Sequence, residues 1–157
     1  MNASILETTA ATPRLNYANA PATLQAMLTL QQAANRTGLE QALLELVKLR
    51  VSQINGCAFC IDMHYREAVK AGETPARLYL LDAWTETDLY TARERAALRW
   101  AEALTRIADG HVTDDDFAAA RAEFSEAELA GLTLAVVAIN GWNRFNVGFR
   151  TPPQLAA

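Results

Sequence analysis

Hydrophobic positions recur along the chain at the three- and four-residue spacings of amphipathic helices, from about residue 21 onward. Leu24, Met27, Leu28 and Leu30 share one side of such a helix, and no run of residues alternates with period two for long enough to indicate a strand. The pattern predicts an all-α fold of about seven helices. These helices are expected to form a single domain over residues 21–157, preceded by an N-terminal arm over residues 1–20.

Capping residues and helix breakers set the predicted helix boundaries. Pro21 and Pro75 suit the first turn of a helix, where a backbone N–H has no partner inside the helix, and Gly56 suits a helix end. The most apolar helix is the last one, and its pattern predicts burial by neighbouring helices or other subunits. Capping boxes are predicted at Thr91 with Glu94, Thr113 with Asp116 and Ser125 with Glu128, and helices over 22–35, 39–55, 57–71, 76–83, 92–107, 114–124 and 127–145.

Length and charge fit one ordinary globular domain. The chain has 157 residues, is 51% hydrophobic and carries a net charge of −4. The mild acidity speaks against a nucleic-acid-binding protein, which normally shows a basic face. The apolar stretch at residues 129–139 is too short for a membrane span, and residues 1–13 lack the pattern of a signal or transit peptide. We therefore expect a cytoplasmic protein with neither nucleic acid nor membrane as a partner.

Both cysteines of the chain lie in one Cys-x-x-Cys motif, Cys57-Ala58-Phe59-Cys60. In a reducing compartment such a pair is more often catalytic or metal-binding than structural. Positions i and i+3 share a face of a helix, so the two thiols can close a small disulfide with modest backbone adjustment. Because so small a ring constrains little of the unfolded chain, redox turnover explains the pair better than stability does.

Two further side chains are predicted to serve this pair. A helix start favours a thiolate over a thiol, and Cys57 should feel this effect most. His64 lies one turn beyond Cys60 on the same face, within reach as a proton acceptor or relay. Glu45 lies on the preceding helix, and an antiparallel return after Gly56 could bring it alongside to orient the imidazole.

The pattern Glu45, eleven residues, Cys57, two residues, Cys60, three residues, His64 resembles the active-site signature of the AhpD-like alkylhydroperoxidases of the carboxymuconolactone decarboxylase superfamily. Residues 138–144 are similar to the last helix of that family, and the resemblance covers most of residues 40–148. It implies a helical protomer that assembles as a trimer or hexamer. It also implies a hydroperoxide substrate, an external dithiol or protein reductant, and no bound cofactor or metal.

The resemblance assigns a role to each residue of the signature. Cys60 attacks the peroxide and becomes a sulfenic acid, Cys57 resolves it as a redox-active disulfide, and Glu45 and His64 form a proton relay. The helix-dipole argument instead favours Cys57 as the thiolate, and we follow the resemblance because His64 is one turn from Cys60. Some family members carry a further histidine where this chain has Phe59, so a relay with two imidazoles is excluded.

Other interpretations of these residues stay open. The pair could act as a non-enzymatic redox sensor, or hold zinc together with His64 and either Glu45 or His111. It could also be two buried small apolar side chains. A decarboxylase is disfavoured, because members with that activity generally lack the cysteine pair. Outside the signature, His111 is expected in an exposed loop, residues 114–116 at a helix N-terminus, and Trp84, Trp100 and Trp142 in the core or an interface.

Overall fold

The computed structural model describes residues 12–155, and within this range the chain is helical with no β-strand. The predicted all-α class is confirmed. Residues 1–11 of the predicted arm and the last two residues of the predicted domain lie outside the described range. The helices are α1 Pro21–Asn35, α2 Gln41–Asn55, α3 Ala58–Lys70, α4 Pro75–Tyr79, α5 Ala92–Thr105, α6 Asp114–Glu123 and α7 Glu126–Gly148, with 3₁₀ helices at Tyr17–Asn19 and Leu81–Glu86.

Helix α2 is the centre of the fold. It packs against α3, α5 and α7, while α1 lies against α7 and α6 against α5. Ten consecutive residues of α2, residues 43–52, are buried, so the helix has core on every side through its middle turns. Charged residues in this stretch are therefore carried into the interior of the domain, where they need partners.

The turn between α2 and α3 positions the two cysteines. Gly56 ends α2 in the left-handed conformation with φ of 65°, where glycine is favoured. Its N–H donates to the carbonyl oxygens of Gln53 and Ser52. Cys57 then adopts an extended conformation as the N-cap of α3. The helix expected to open at Cys57 thus begins one residue later, because the N-cap residue has non-helical backbone angles.

The predicted starts of the other helices lie within two residues of the observed ones, and one predicted helix is wrong. Full capping boxes stand before α5, α6 and α7. The single helix predicted over residues 76–83 is wrong: α4 ends at Tyr79 and a kinked 3₁₀ helix follows. Leu81 and Trp84 are both buried there, and side chains three apart eclipse on a 3₁₀ helix, so packing favours the tighter turn. None of the helices within residues 12–155 is long and apolar enough to cross a membrane.

Candidate active site

The cysteine pair lies at the start of α3, beneath the domain surface. Cys57 and Cys60 are joined by a disulfide, with their Cα atoms 5.3 Å apart, and both residues are fully or almost fully buried. The backbone N–H of Cys60 donates to Cys57 Sγ at 3.3 Å, so the first cysteine caps the helix. In the reduced state the same N–H and the helix dipole favour negative charge on Cys57.

His64 and Glu45 meet across the α2–α3 contact. Nδ1 of His64 lies 2.7 Å from Oε2 of Glu45, and both side chains are buried. An ionised carboxylate can only accept, so Nδ1 carries the proton of this hydrogen bond. In the neutral imidazole Nε2 is then the basic nitrogen, and within residues 12–155 no side chain bonds to it. The pair is therefore set up to take a proton at Nε2.

The Glu45 carboxylate is held as an anion. Burial acts to raise its pKa, but the hydrogen bond from His64 and the charge of Lys48 outweigh burial, and the pKa is lowered. Lys48 Nζ donates to Oε1 at 3.0 Å and Gln41 Nε2 donates to the same oxygen at 2.7 Å. With three donors around it, this carboxylate is better suited to anchoring the imidazole than to accepting its proton.

Lys48 is a site residue that the sequence analysis missed. Its side chain is 4% exposed, and Nζ, which donates to Glu45, also donates to Asn35 Oδ1 at 3.3 Å. A buried lysine normally requires a partner to remain charged, and Glu45 provides it three residues away on the same helix. A signal for this buried pair was present in the sequence: Glu45 and Lys48 are three residues apart and are flanked by apolar residues on both sides.

Glu45 and His64 both line a cavity of about 490 Å³. Its buried polar lining comes from Glu45, Lys48, His64 and Asn146. This volume is within the range of sites for small organic ligands, which combine apolar walls with a few polar groups. The apolar walls come from Leu28, Phe59, Met63 and Trp142.

Asn146 connects the cavity to the cysteine pair. Its side chain lines the cavity, and Nδ2 lies 3.4 Å from Cys60 Sγ in a donating geometry. This residue is buried on α7, and the sequence analysis did not identify it. A signal existed, since Asn140, Asn143 and Asn146 recur every three residues in an otherwise apolar helix. The first two instead join α7 to Asn55 on α2.

His111, Trp84 and Trp100 lie outside this site. His111 is exposed, as expected, and Trp84 and Trp100 are buried in the core. Trp142 packs against the core, in line with the expectation, and it also lines the cavity, as does Phe59. In the part of the chain that the structure describes, no three His, Cys, Asp or Glu side chains are grouped to hold a metal ion.

Comparison with known proteins assigns this arrangement to a family. The profile of the carboxymuconolactone decarboxylase family matches residues 21–103, which include all four residues of the signature. The chain belongs to the carboxymuconolactone decarboxylase family. Within the family it is AhpD-like, as the relatives below indicate.

Relatives in the carboxymuconolactone decarboxylase family cover most of the chain. The uncharacterized protein YdfG of Bacillus subtilis is 40% identical over 131 residues, which span 83% of this chain and 89% of YdfG. The crystal structure of an Agrobacterium tumefaciens protein of unknown function, provisionally named as the antioxidant defence protein AhpD, is 42% identical. It superposes with a TM-score of 0.89 and covers 92% of this chain and 100% of its own. The fold is therefore that of an AhpD-like protomer.

A shorter match points to the enzyme that gives this group its name. The alkyl hydroperoxide reductase AhpD of Rhodopseudomonas palustris is 42% identical over 57 residues, which are 36% of this chain and 31% of AhpD. The match spans less than a third of that enzyme. At the level of the family it suggests a peroxidase or antioxidant function.

Proposed function

We propose that this protein is a thiol-dependent peroxidase that reduces hydroperoxides through a dithiol–disulfide cycle of Cys57 and Cys60. The observation that carries the proposal is the connection made by Asn146, which touches Cys60 Sγ and lines the same cavity as the Glu45–His64 pair. A redox pair, a proton acceptor and space for an organic molecule thus adjoin one another. These are the parts that peroxide reduction by a thiol requires.

The proposed cycle begins at Cys60. Its thiolate attacks the terminal oxygen of the hydroperoxide, an S–O bond forms, and the O–O bond breaks. The departing alkoxide takes up a proton and leaves as an alcohol, so the peroxide is reduced and sulfur is oxidised to a sulfenic acid. Cys57 thiolate then attacks Cys60 Sγ, the S–S bond forms, and hydroxide leaves with a proton as water. In this proposal the Cys57–Cys60 disulfide at the start of α3 corresponds to the product of the second step.

His64 and Glu45 supply the proton chemistry of the proposal, in separate roles. His64 accepts the thiol proton at Nε2 and returns it to the leaving oxygen. Glu45 keeps the imidazole oriented and stabilises the imidazolium while it lasts, because its own pKa is lowered and it remains ionised. The relay expected from the resemblance is thereby refined to a proton carrier and an anchor.

Asn146 and the first turn of α3 each contact a different sulfur atom of the pair. The amide N–H of Asn146 stabilises negative charge on Cys60, whereas the first-turn N–H of α3 stabilises it on Cys57. We assign the attack to Cys60 because it is the sulfur contacted by a cavity-lining residue. Cys57 remains the resolving thiol.

An external dithiol or a protein reductant restores the reduced pair. No cofactor enters the proposed cycle. A cytoplasmic location and a trimeric or hexameric assembly also stay predictions from the sequence. Light scattering tests the assembly, and a particle of only 17.2 kDa would contradict it.

A peroxide pulse on the reduced protein tests the proposed function. Addition of cumene hydroperoxide should consume two thiols per chain. A dithiol added afterwards should reduce the disulfide and restore activity. Cys60→Ser should abolish peroxide consumption, because the attacking sulfur is gone. The matched variant Cys57→Ser should still react once and hold a sulfenic acid that dimedone traps.

Three outcomes would contradict the proposal in different ways. If Cys60→Ser still consumes peroxide and Cys57→Ser does not, the attacking and resolving roles are reversed. If the reduced wild type consumes peroxide no faster than the double serine variant, the protein is not a peroxidase. Stoichiometric zinc in place of a reducible disulfide would favour the metal-holding alternative.

A further inference from the structure

A line of hydrogen bonds in the cavity wall connects helix α1 to the Glu45–His64 pair. On α1, Gln31 Nε2 donates to Asn35 Oδ1 at 2.8 Å, and Lys48 Nζ donates to the same oxygen at 3.3 Å. Lys48 Nζ also donates to Glu45 Oε1 at 3.0 Å, and Glu45 Oε2 lies 2.7 Å from Nδ1 of His64. All five side chains line the cavity. The lysine ammonium is therefore held between α1 and the carboxylate that anchors the imidazole.

Glu45, Lys48 and His64 balance one another in charge. The side chains of Glu45 and Lys48 are each 4% exposed, and that of His64 is 8% exposed. A buried carboxylate by itself would draw a proton onto the neighbouring imidazole, because the attraction between opposite charges is strong where water is excluded. Lys48 cancels the carboxylate charge, so the imidazole borders an ion pair that is neutral as a whole. The neutral form of His64, which accepts a proton, is therefore more stable than it would be beside Glu45 alone.

The other charged and titratable groups around the cavity affect the pair less. Glu67 lines the cavity, but its side chain is 47% exposed and Lys70 Nζ donates to it at 2.7 Å, so solvent and this cation screen its charge. Tyr17 lines the cavity as a neutral phenol, since burial raises its pKa, and the remaining side chains of the lining carry no charge. Arg50 lies nearly opposite Lys48 around α2 and has acidic partners of its own. Within residues 12–155, Lys48 is the lysine or arginine that contacts the pair.

We propose that Lys48 is a positioning residue of this site, which neutralises the Glu45 carboxylate and so keeps His64 able to accept a proton near neutral pH. The inference rests on the proposed function, because the proton accepted there is that of the Cys60 thiol. Lys48 acts through its charge and takes no part in bond formation. The two hydrogen bonds from its ammonium, to Glu45 and Asn35, fix where that charge lies.

Lys48→Met tests the inference, because it removes the charge and keeps an apolar side chain of similar length. The measurement is the pH at which half of the His64 rings are protonated, followed by NMR in the oxidised protein, where the disulfide does not titrate. We expect this midpoint to rise by about one pH unit, because the imidazolium then borders a carboxylate without a cation. Lys48→Arg keeps the charge and should retain the wild-type midpoint. His111, the other histidine of the chain, is exposed and serves as the internal reference.

Arg50→Met is the matched control, since it removes a buried cation of the same helix whose acidic partners are Asp82 and Glu102. A merely structural role of Lys48 would lower stability in both variants and leave both midpoints in place. An unchanged midpoint in Lys48→Met, an equal rise in Arg50→Met or a rise in Lys48→Arg overturns the inference. If Lys48→Met does not fold, the same comparison in the Glu45→Gln background leaves no unpaired carboxylate, and the midpoint must again rise when the lysine is removed.

The titration involves no turnover, so the inference and the proposed function fail separately. A midpoint that depends on Lys48 in a protein that does not reduce peroxides would refute the proposed function and leave the charge balance standing. In a working peroxidase, the acid limb of kcat/KM for cumene hydroperoxide should move to higher pH together with the midpoint in Lys48→Met. An acid limb that stays in place overturns the inference and leaves the proposed function intact.

Discussion

Helix α2 carries buried charged side chains in two clusters that differ in their surroundings. The first is Glu45 with Lys48 and His64, which borders the cavity. The second is Arg50, less than two turns further along the helix, which bonds Glu102 at 2.6 Å and also bonds Asp82. In the second cluster every charged group is matched by another protein group, and none of its members borders the cavity.

The comparison shows that a buried charge alone does not indicate a catalytic site. Arg50 joins α2 to α5 and to the 3₁₀ helix, and Trp84 Nε1 adds a hydrogen bond to Glu102 at 2.8 Å. That cluster fixes how three elements pack. The first cluster keeps one imidazole nitrogen without a partner among residues 12–155, next to a space large enough for a ligand. A basic nitrogen that has no hydrogen-bond partner and lies beside a cavity distinguishes a candidate active site from a structural ion pair.

Outside the cysteine pair, His64→Gln should produce the largest change in activity. The variant retains side-chain hydrogen bonding but cannot accept a proton near neutral pH, so kcat/KM for cumene hydroperoxide should fall about 100-fold, the usual contribution of a general base. Stopped-flow peroxide consumption measures the effect, with His111→Gln as the exposed control. A loss below threefold would show that the imidazole is not part of the proton path.

Arg50→Met should affect stability instead of activity. Removing the guanidinium leaves the partly exposed Glu102 side chain with the hydrogen bond from Trp84, and we expect the free energy of unfolding to fall by about 2 kcal/mol. The value lies below that for a fully buried pair because the Asp82 side chain is 76% exposed. Urea denaturation measures it, and Arg66→Met, in an exposed pair with Asp62, is the control. A comparable loss of kcat/KM per folded chain would contradict the separation of the two clusters.

Local signals predicted the elements of the fold well. Thr91, Thr113 and Ser125 each cap a helix as expected, because a capping box is formed by residues close in sequence. The 3₁₀ helix after α4 was missed, since it depends on burying Leu81 and Trp84 against other elements. Tertiary packing determines the conformation of such segments, and the local sequence pattern does not reveal that packing.

The same division applies to the candidate site. The signature placed Glu45, Cys57, Cys60 and His64 on one hairpin, and the structure brings Glu45 and His64 into contact and joins the cysteines. Their catalytic roles stay predictions. Tyr17 and Asn146 come from the two ends of the chain, and no spacing rule links them to the signature. Only the packing of α7 and of the segment before α1 brings them to the cavity.

Asn146→Ala should produce the smallest loss of activity of this series. It tests whether the hydrogen bond from Asn146 to Cys60 Sγ stabilises the thiolate. Loss of one hydrogen bond to Cys60 Sγ removes about 1 kcal/mol of thiolate stabilisation, so sulfenic acid formation should slow about fivefold. The readout is the ultraviolet absorbance of the thiolate, measured against pH in the Cys57→Ser background, where Cys60 is the remaining thiol.

Asn146→Asp separates a specific donor from general packing. Its carboxylate has nearly the same shape as the amide but carries negative charge, so it should disfavour the Cys60 thiolate more than alanine does. If both variants leave the thiolate fraction unchanged, Asn146 only fills space. The attack would then lose its structural reason to occur at Cys60, and the helix start, which favours Cys57, would decide which sulfur reacts first.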